Sequence, residues 1–574
     1  MKQLKNCRKD STLSAPWTRR QTLRALGQLA GPWVAVGPPA WAAADAQHHT
    51  DRAPLLYGMG GYQVPDASAS ALARRLVAQG MVLAWSFNGA EAARSFTGAL
   101  EADPGCAAAA WGQAWSLGPT VNTDLADADA PRVHAALERA RVLRASAPPR
   151  WHDLIDALRL RHPVAGSAAV DEEAYEKRLA ALLHRYPRDA DIATLAAEAL
   201  MNLHPYDWWQ GPARRPRPWT PAIERRLRHA LALHPPHPGA NHAWVHLMES
   251  SATPGRARRE ADRLRTLVPG SGHLLHMPAH IDMRLGRYAA ATQANEAAVA
   301  ADRRYLEQVD AQGAYRVGYV AHNHHFLWAS ASMQGRGALA IDAADEAFTA
   351  ACGPQGVPRG APVAGTLQHL QALPALARVR FGRWKQVTAG VPPPEGDAAY
   401  ALALWHYARG TAFVRLGDAG SARREGDALT RIAATPALAA LRIKGVHAAG
   451  TLLEIAQLTL QADLALAAGT PAQALAPLAR AVALEDGLAP DEPHLWLAPT
   501  RQALGAALLR ASRPAEAARA FAQDLQHYPD NGWSLLGLMR AQRALHQRAA
   551  AAQTAARLAA AWREADVTLA TPRL

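Results

Sequence analysis

Cysteine is scarce in this chain of 574 residues, which contains only Cys7, Cys106 and Cys352. No CxxC pair and no CxxCH segment occurs, so the sequence excludes the common thiolate zinc sites, a dithiol redox centre and covalently attached haem. Cys7 lies in a segment that resembles an export signal. Cys106 and Cys352 would then remain in an oxidising compartment, and the sequence leaves open whether they pair.

Several catalytic signatures are missing as well. The chain has no GxxxxGK[ST], no HExxH and no GxSxG segment, so no phosphate-binding loop, zincin-type protease or serine-hydrolase nucleophile is predicted. The glycine-rich segment GMGGY at 58–62 does not fit a dinucleotide fingerprint and indicates a turn. After the first 46 residues no stretch is apolar over enough length to predict a membrane span.

Lysine is rare, and arginine supplies nearly all of the positive charge. The formal net charge is +13, of which residues 1–46 contribute seven basic and two acidic side chains. The remaining positive charge is dispersed, and no basic stripe alternates with aromatic residues. Nucleic-acid binding is therefore not expected.

The first 46 residues resemble a bacterial export signal. The segment TRRQTLRAL places Arg19 and Arg20 before Leu23, in the twin-arginine pattern, and an uncharged stretch follows from Ala25 to Ala44. Glycines and prolines interrupt that stretch too often for a stable membrane span. We predict a periplasmic or secreted protein with a signal at 1–46 and a mature N-terminal leader at 47–66; a lipid-facing anchor that stays attached is the alternative.

Alanine and leucine are abundant, and they recur in a pattern of paired helices. Segments such as RLGRYAAATQANEAAVAAD and LRASRPAEAARAFAQDLQHYPDN share a corner, small residues where two helices cross, and a later proline or acidic turn. This pattern predicts an all-α fold, a tetratricopeptide-type α-solenoid of about ten to twelve helical hairpins. A Gly/Pro-rich break at 353–365 separates an N-terminal half, 67–352, from a C-terminal half, 366–574.

Histidine is concentrated in one part of the chain, since eleven of the 24 histidines fall within residues 229–325. His242 and His246 are four residues apart, and so are His276 and His280. The two pairs lie 34 residues apart, which is the length of one repeat. Residues i and i+4 share a helix face, and equivalent helices of adjacent repeats lie side by side. We therefore expect four imidazoles around one small volume on the concave face.

A third repeat extends this register. Aligning two Gly-Arg corners places His325 beside His276 and His322 beside His273. The sequence thus predicts a metal site made by His242, His246, His276, His280 and His325. Residues expected to support these ligands, or to replace one of them, are Glu249, His273, His322, Asn241 and Asn323. Ordinary hydrogen-bonded histidines inside a repeat are the alternative.

Proline at position 278 complicates this prediction, because it lies between His276 and His280. A proline either kinks a helix or begins a new one. If a new helix begins there, the two rings need not share a face. If the helix only kinks, the kink could turn both rings inward.

Imidazole ligands suit copper, zinc or iron. Four methionines near the histidines in sequence (Met248, Met277, Met283 and Met333) favour copper, with zinc second. An open coordination position would suit oxidation of a small molecule or a peptide in the groove. The alternative is a non-enzymatic scaffold whose groove binds a peptide or a protein partner.

Five segments resemble those of a bacterial family of exported or cytosolic tetratricopeptide-repeat proteins. Among them are PGANHAWVHLME, GHLLHMPAHI and NGWSLLGL, and the five occupy Phe87–Asn122, Ala199–Trp209, Pro238–Glu249, Gly272–Ile281 and Asn531–Leu538. The resemblance covers most of the mature chain and implies a repeat fold and the position of a histidine site, but no particular reaction. One position departs from the family: Gly89 follows Asn88 where a histidine is usual.

Overall fold

The computed structural model of the chain describes residues 53–211, 213–309, 315–352, 365–394, 396–489, 491–496 and 498–569. The predicted export signal, the first six residues of the predicted leader and most of the predicted Gly/Pro-rich break lie outside these residues. Within them, α-helices are joined by short turns.

The N-terminal half is a succession of helices in which each helix packs against the next. Its α-helices are α1 (Ala71–Trp85), α2 (Gly89–Ala102), α3 (Ala107–Ser116), α4 (Ala130–Leu143), α5 (Pro149–Arg161), α6 (Glu172–Arg185), α7 (Ala190–Leu203), α8 (Thr220–Leu233), α9 (Pro238–Glu249), α10 (Arg258–Leu267), α11 (Gly272–His276), α12 (Pro278–Arg284), α13 (Tyr288–Gln308), α14 (Ala321–Gln334) and α15 (Gly337–Cys352). Short 3₁₀ turns at Arg144–Ser146 and Pro254–Ala257 and a π-helical turn at Arg316–Val320 join some of them.

The C-terminal half continues the same succession. Its α-helices are α16 (Gly365–Arg380), α17 (Trp384–Ala389), α18 (Ala399–Arg415), α19 (Ala419–Ala433), α20 (Pro436–Ala440), α21 (Ala449–Ala467), α22 (Pro471–Asp486), α23 (Thr500–Arg510), α24 (Pro514–His527), α25 (Gly532–Ala544) and α26 (Arg548–Ala561). Two small antiparallel hairpins interrupt the chain: β1 (Trp209–Gln210) with β2 (Arg215–Pro216), and β3 (Arg442–Ile443) with β4 (His447–Ala448).

The described helices form twelve successive hairpins, if α11 and α12 are taken together as one arm and α20 is left out. The predicted all-α solenoid of tetratricopeptide type is therefore confirmed. Among the helices that the structure describes, none combines the length and apolar character that a bilayer crossing requires. Cys106 and Cys352 are not joined to each other; the Cys106 thiol donates to the Ala67 carbonyl.

Small residues let the helices approach where they cross. The ring of Phe96 packs against Gly80 and Gly112, and a Cβ atom on Gly80 would lie only 2.7 Å from that ring. Phe521 packs in the same way against Gly505 and Gly537. Only glycine leaves room for a phenylalanine ring at these crossings, which explains the small residues expected where two helices cross.

The end of the array returns to its middle. The indole of Trp533 on α25 donates to the Ser332 carbonyl at 3.0 Å, and that of Trp562 donates to the Met333 carbonyl at 3.1 Å. Gly335, which ends α14 with a φ of 81°, lies against Trp562. The last hairpin therefore rests on α14, and loops of the C-terminal half come to lie over the histidine-bearing helices.

The N-terminal segment before α1 also belongs to the packed body. The Gly270 amide donates to the Gly58 carbonyl at 2.8 Å, and the Tyr62 hydroxyl donates to Asp191 at 2.7 Å. From residue 53 onward the predicted leader is thus attached to the solenoid.

Candidate metal centre

Two helices bring the first group of histidines together. His242 and His246 project from one face of α9, and His273 projects from α11 on the next hairpin. We call these residues trio one. The Nε2 atoms of His242 and His273 are 3.0 Å apart, and one nitrogen from each ring lies within 4.8 Å of the others. All three side chains are buried.

The second group lies beside the first. It comprises His276 of α11, His280 of α12 and His322 of α14, which we call trio two. The Nε2 atoms of His276 and His280 are 2.8 Å apart. Pro278 is the first residue of α12, but Met277 keeps helical backbone angles, so the two rings still share a face. The π-helical turn Arg316–Val320 leads directly into the segment that carries His322.

Hydrogen bonds at Nδ1 fix the orientation of these rings. Nδ1 of His242 lies 2.5 Å from the Trp85 carbonyl oxygen, which can only accept. Nδ1 of His276 lies 2.7 Å from Oδ1 of Asn295, whose amide nitrogen donates to the Ala291 carbonyl. Both rings therefore carry their proton on Nδ1 and present the lone pair of Nε2.

Glu249 orients two more rings in the same way. Its Oε1 lies 2.9 Å from Nδ1 of His246, and its Oε2 contacts Nδ1 of His280. Burial disfavours the charged carboxylate, but His280 and His246 outweigh burial and hold the pKa of Glu249 below its usual value. Burial likewise opposes the charged form of His280, yet Glu249 raises the pKa of that ring. Glu249 thus ties trio one to trio two.

This arrangement matches what metal-binding histidines require. A ligand histidine commonly donates its second N–H to a carboxylate or carbonyl, which fixes the tautomer and aims the other nitrogen at the metal. His276 and His280 each present an unprotonated Nε2 when neutral, and these atoms face each other at 2.8 Å. Two lone pairs this close repel unless a proton or a metal ion lies between them. Tetrahedral ligands at about 2.0–2.1 Å from zinc are roughly 3.3 Å apart, so small ring movements suffice.

Burial keeps most of these imidazoles neutral. It lowers the pKa values of His242, His273, His276 and His322 well below the ordinary value, with neighbouring histidines adding to the effect. Neutral imidazole is the form that binds a metal ion. The rings are therefore ready to act as ligands at neutral pH without first losing a proton.

A carboxylate from the C-terminal half completes the site. Glu492, in the segment after α22, places Oε2 3.7 Å from Nδ1 of His280, and it groups with His280 and Glu249 as possible ligands. Burial raises its pKa to about 7. The ammonium group of Lys444 holds this segment by donating to Asp491 and to the Glu492 carbonyl, both at 3.1 Å.

Because these loops lie over the helices, the site is enclosed. The five ligands predicted from the sequence are all 5% exposed or less, whereas the sequence predicts a site on the concave face of the solenoid. The difference arises because the C-terminal half folds back over the histidines.

His325 lies elsewhere. Its ring stacks on Trp328 and lies 5.5 Å, centre to centre, from His369. His322, instead, is 4.8 Å from His276. Counted back from the aligned corners, His322 rather than His325 takes the place beside His276, three positions or about one helical turn earlier. The counted stretch is one unbroken helix in α14 but is divided at Pro278 between α11 and α12.

The predicted supporting residues have different surroundings. His273 and His322 belong to the two trios, and Glu249 joins them. Asn241 instead donates to the Pro235 and His237 carbonyls, and Asn323 donates to Asp302. Met248, Met277 and Met333 are buried in hydrophobic clusters, and Met283 packs at the edge of such a cluster. The methionines thus offer no support for a soft-ligand copper(I) site.

Each trio is faced by one phenylalanine ring. Phe87 lies 4.6, 5.7 and 5.5 Å from the rings of His242, His246 and His273. Phe326 of α14 lies 4.5, 4.6 and 5.0 Å from His276, His280 and His322. These apolar covers lower the local dielectric and favour tight metal–ligand contacts.

Several residues of the site escaped sequence reasoning. Glu492 is far from the histidines in sequence and outside their 34-residue register, so spacing gives no sign of it. Asn295 sits in an alanine-rich helix without a recognisable motif. Phe87 opens the first family-like segment, next to Gly89, where a Cβ atom would lie 2.3 Å from the Ser116 carbonyl oxygen. No histidine fits at position 89 of this chain without a shift of the backbone.

Comparison with known proteins adds little to this site. No family model and no curated protein matches the chain. Among solved structures, a human IFIT1 dimer with m7Gppp-AAAA aligns with a TM-score of 0.30 and 11% identity, covering 86% of this chain and 91% of that one. Yeast Tom70 aligns with a TM-score of 0.25 and 11% identity, covering 94% and 98%. Scores this low transfer neither a ligand nor a partner.

Proposed function

We propose that the protein binds two transition-metal ions, one in each histidine trio. The observation that carries this proposal is the common orientation of His242, His246, His276 and His280. In each ring Nδ1 faces a carbonyl or carboxylate oxygen, which leaves Nε2 as the donor atom of the inner volume. Four buried rings that turn the same nitrogen atom toward one another form a donor set suited to a metal ion.

Copper is the first choice of metal and zinc the second, because a given set of nitrogen and oxygen ligands binds copper(II) more tightly than zinc. The donor set consists of imidazoles with carboxylates beside trio two, which suits copper(II) and zinc. Copper would give the site redox chemistry, and the oxidation of a small molecule is then the reaction class to test. Zinc would instead provide a Lewis acid or a structural link between hairpins.

A scaffold that binds a peptide remains the competing function. In that case the histidines would contact the peptide along an open groove. The buried positions of His242, His273 and His276 argue against this role for the cluster. Other surfaces of the repeat array remain available for a protein partner.

The proposal is tested by metal analysis of protein prepared without a histidine tag. After anaerobic loading and desalting, we expect about two equivalents of copper or zinc per chain. Each single variant, His242→Ala or His276→Ala, should lose about one equivalent, and the double variant should lose both. Combining His276→Ala with His280→Ala should cost no more metal than either alone, because both change the same trio. Less than about 0.2 equivalents in the unmodified protein would contradict the proposal.

Export is a separate proposal that rests on Arg19 and Arg20, outside the described residues. If these residues direct twin-arginine export, replacing both with lysine should keep the full-length precursor inside the cell. Cell fractionation with N-terminal sequencing of the mature protein tests this. An unchanged distribution would contradict it.

A further inference from the structure

A small cavity opens against trio one. It is lined by residues of α1, α3, α7 and α9, among them His242 and His246. Its volume is ≈ 50 Å³, enough for about four solvent molecules at roughly 10–15 Å³ each. The size limits an occupant to a few non-hydrogen atoms.

The wall of this cavity combines apolar and hydrogen-bonding groups. Phe87 and Trp115 provide aromatic surface, whereas Thr120, Asn202 and Glu198 provide polar atoms. Burial raises the pKa of Glu198 to about 8, so this carboxyl group is mostly protonated at neutral pH and can donate a hydrogen bond. A small ligand that accepts hydrogen bonds would find donors here.

Phe87 lines this cavity and also faces the rings of trio one, and its backbone is unusual. Its φ of 60° lies in the left-handed region, which a phenylalanine rarely adopts. Such conformations persist where the surrounding structure requires them, often at functional sites. Here the conformation places the ring against all three imidazoles of trio one and in the cavity wall at once.

The two trios differ in the negative charge that lies beside them, and this difference bears on what the cavity can hold. Trio one contains three imidazoles, and Glu249 reaches it only through Nδ1 of His246 while also pairing with His280. A divalent ion in trio one would therefore keep excess positive charge in a buried place. Buried charge is costly unless a counter-ion accompanies it.

We propose that this cavity holds a small exchangeable anion of one to four non-hydrogen atoms, which binds the metal ion of trio one at its open position. The inference rests on the metal site proposed above. Trio one would then be the reactive position, and trio two, with Glu249 and Glu492 beside it, would need no such anion.

Azide is a suitable probe, because it has three atoms and produces charge-transfer bands with copper(II). The full chain is first loaded with copper, its metal content is measured, and azide is then titrated in while the visible spectrum is recorded. We expect a saturable new band. In His322→Ala, which weakens trio two, the azide band should persist; in His242→Ala it should disappear.

Two variants test whether azide binds in the cavity. Ala84→Leu fills the cavity wall, and Thr120→Tyr narrows it from a loop, while neither residue is a proposed ligand. Both should keep their copper but weaken azide binding at least tenfold. Ala222→Leu, a half-buried alanine of α8 outside the cavity, is the matched control and should bind azide as the unmodified protein does.

The outcomes separate the two proposals. Protein that holds neither copper nor zinc after loading contradicts the metal site itself, before azide is added. Protein that holds two equivalents but shows no azide band contradicts the anion site alone. Equal azide affinity in the unmodified protein, Ala84→Leu and Thr120→Tyr would also overturn it, because azide would then bind elsewhere.

Discussion

Trio one and trio two have the same composition but different surroundings. Each has three imidazoles from neighbouring hairpins, two of them with Nε2 atoms 3.0 or 2.8 Å apart, and each lies under one phenylalanine. Trio one faces a small cavity. Trio two faces Glu249 and Glu492 and is covered by a segment of the C-terminal half. Under the two proposals, trio one is therefore the site that exchanges small ligands, and trio two is the site whose charge is compensated by carboxylates.

The number of histidines in each trio says little about how the trio behaves, because the partners of the rings differ. Nδ1 of His242 faces a neutral carbonyl, whereas Nδ1 of His280 faces a carboxylate. A carboxylate partner makes the ring a stronger electron donor and stabilises its protonated form. Two trios with the same ligands should thus differ in affinity and in acid sensitivity.

The largest expected effect is on the free energy of unfolding, which the loss of one histidine should lower more in trio two than in trio one. His280→Ala would leave Glu249 as a buried carboxylate without its closest cation, at a cost of about 3–5 kcal/mol in the metal-free protein. His242→Ala removes the partner of the Trp85 carbonyl and of Nε2 of His273 but leaves no unpaired charge, so the cost should be smaller, about 1–3 kcal/mol. Denaturant unfolding of both metal-free variants measures the difference. Equal losses would show that Glu249 is not charged in the folded protein.

The next largest expected difference is between Phe87, which faces trio one, and Phe326, which faces trio two, in their contribution to the free energy of unfolding. Phe326 is fully buried, so Phe326→Ala should cost about 3–5 kcal/mol. Phe87 is partly exposed and its backbone is strained, so Phe87→Ala should cost about 1–3 kcal/mol. Thermal unfolding of the metal-free variants compares them. A larger loss at Phe87 would mean that trio one, rather than trio two, anchors the fold.

Acid should weaken the surroundings of trio two more than the N-terminal hairpins. Burial lowers the pKa of two histidines near trio two: that of His369 on α16 to about 3, and that of His324 on α14 to about 4. Among the N-terminal hairpins, burial lowers the pKa of His162, which follows α5, to about 3. A histidine in the unfolded chain has a pKa of about 6.5, so below that pH the unfolded chain binds protons that the buried rings of the native protein do not bind. The free energy of unfolding therefore falls as the pH drops below about 6.5, by about 1.4 kcal/mol per pH unit for each ring.

Hydrogen exchange of the metal-free protein between pH 6.5 and 4.5, corrected for the intrinsic rate, measures this effect by region. Protection should fall further in α14 and α16 than in α5. The variant His369→Gln should reduce the loss around α16. Uniform loss along the chain would indicate that the array unfolds as one unit.

The smallest expected effect comes from a histidine outside both trios. His234 is exposed and lies between the histidine-bearing helix α9 and its predecessor. His234→Ala should leave the metal content unchanged and alter stability by less than about 0.5 kcal/mol. A loss of metal similar to that of His242→Ala would undermine the assignment of the ligands to the two trios.

The sequence predicts the frame of this site well. The 34-residue spacing places His246 beside His280, and their rings are 5.8 Å apart, centre to centre. The spacing works because adjacent hairpins stack with a constant offset. The same spacing relates the histidines of α9 to those of α11 and α12, which the structure brings together.

The sequence cannot predict how these rings divide into groups. His273 joins His242, and His276 on the same short helix α11 instead joins His280 across Pro278. His325 stacks on Trp328, and His322, one helical turn earlier on α14, takes the place beside His276. Glu492 enters through contacts between distant parts of the array, and such contacts leave no periodic trace in a sequence.

The contact between Glu492 and His280 has a consequence for biosynthesis. The ribosome makes His280 well before Glu492 and the last hairpin, and at about 5–20 residues/s the interval is roughly 10–40 s. During that time the histidines lack both the segment held by Lys444 and the hairpin that rests on α14. Selection of the metal ion would thus be settled only after translation, when the finished chain has folded back over its own middle.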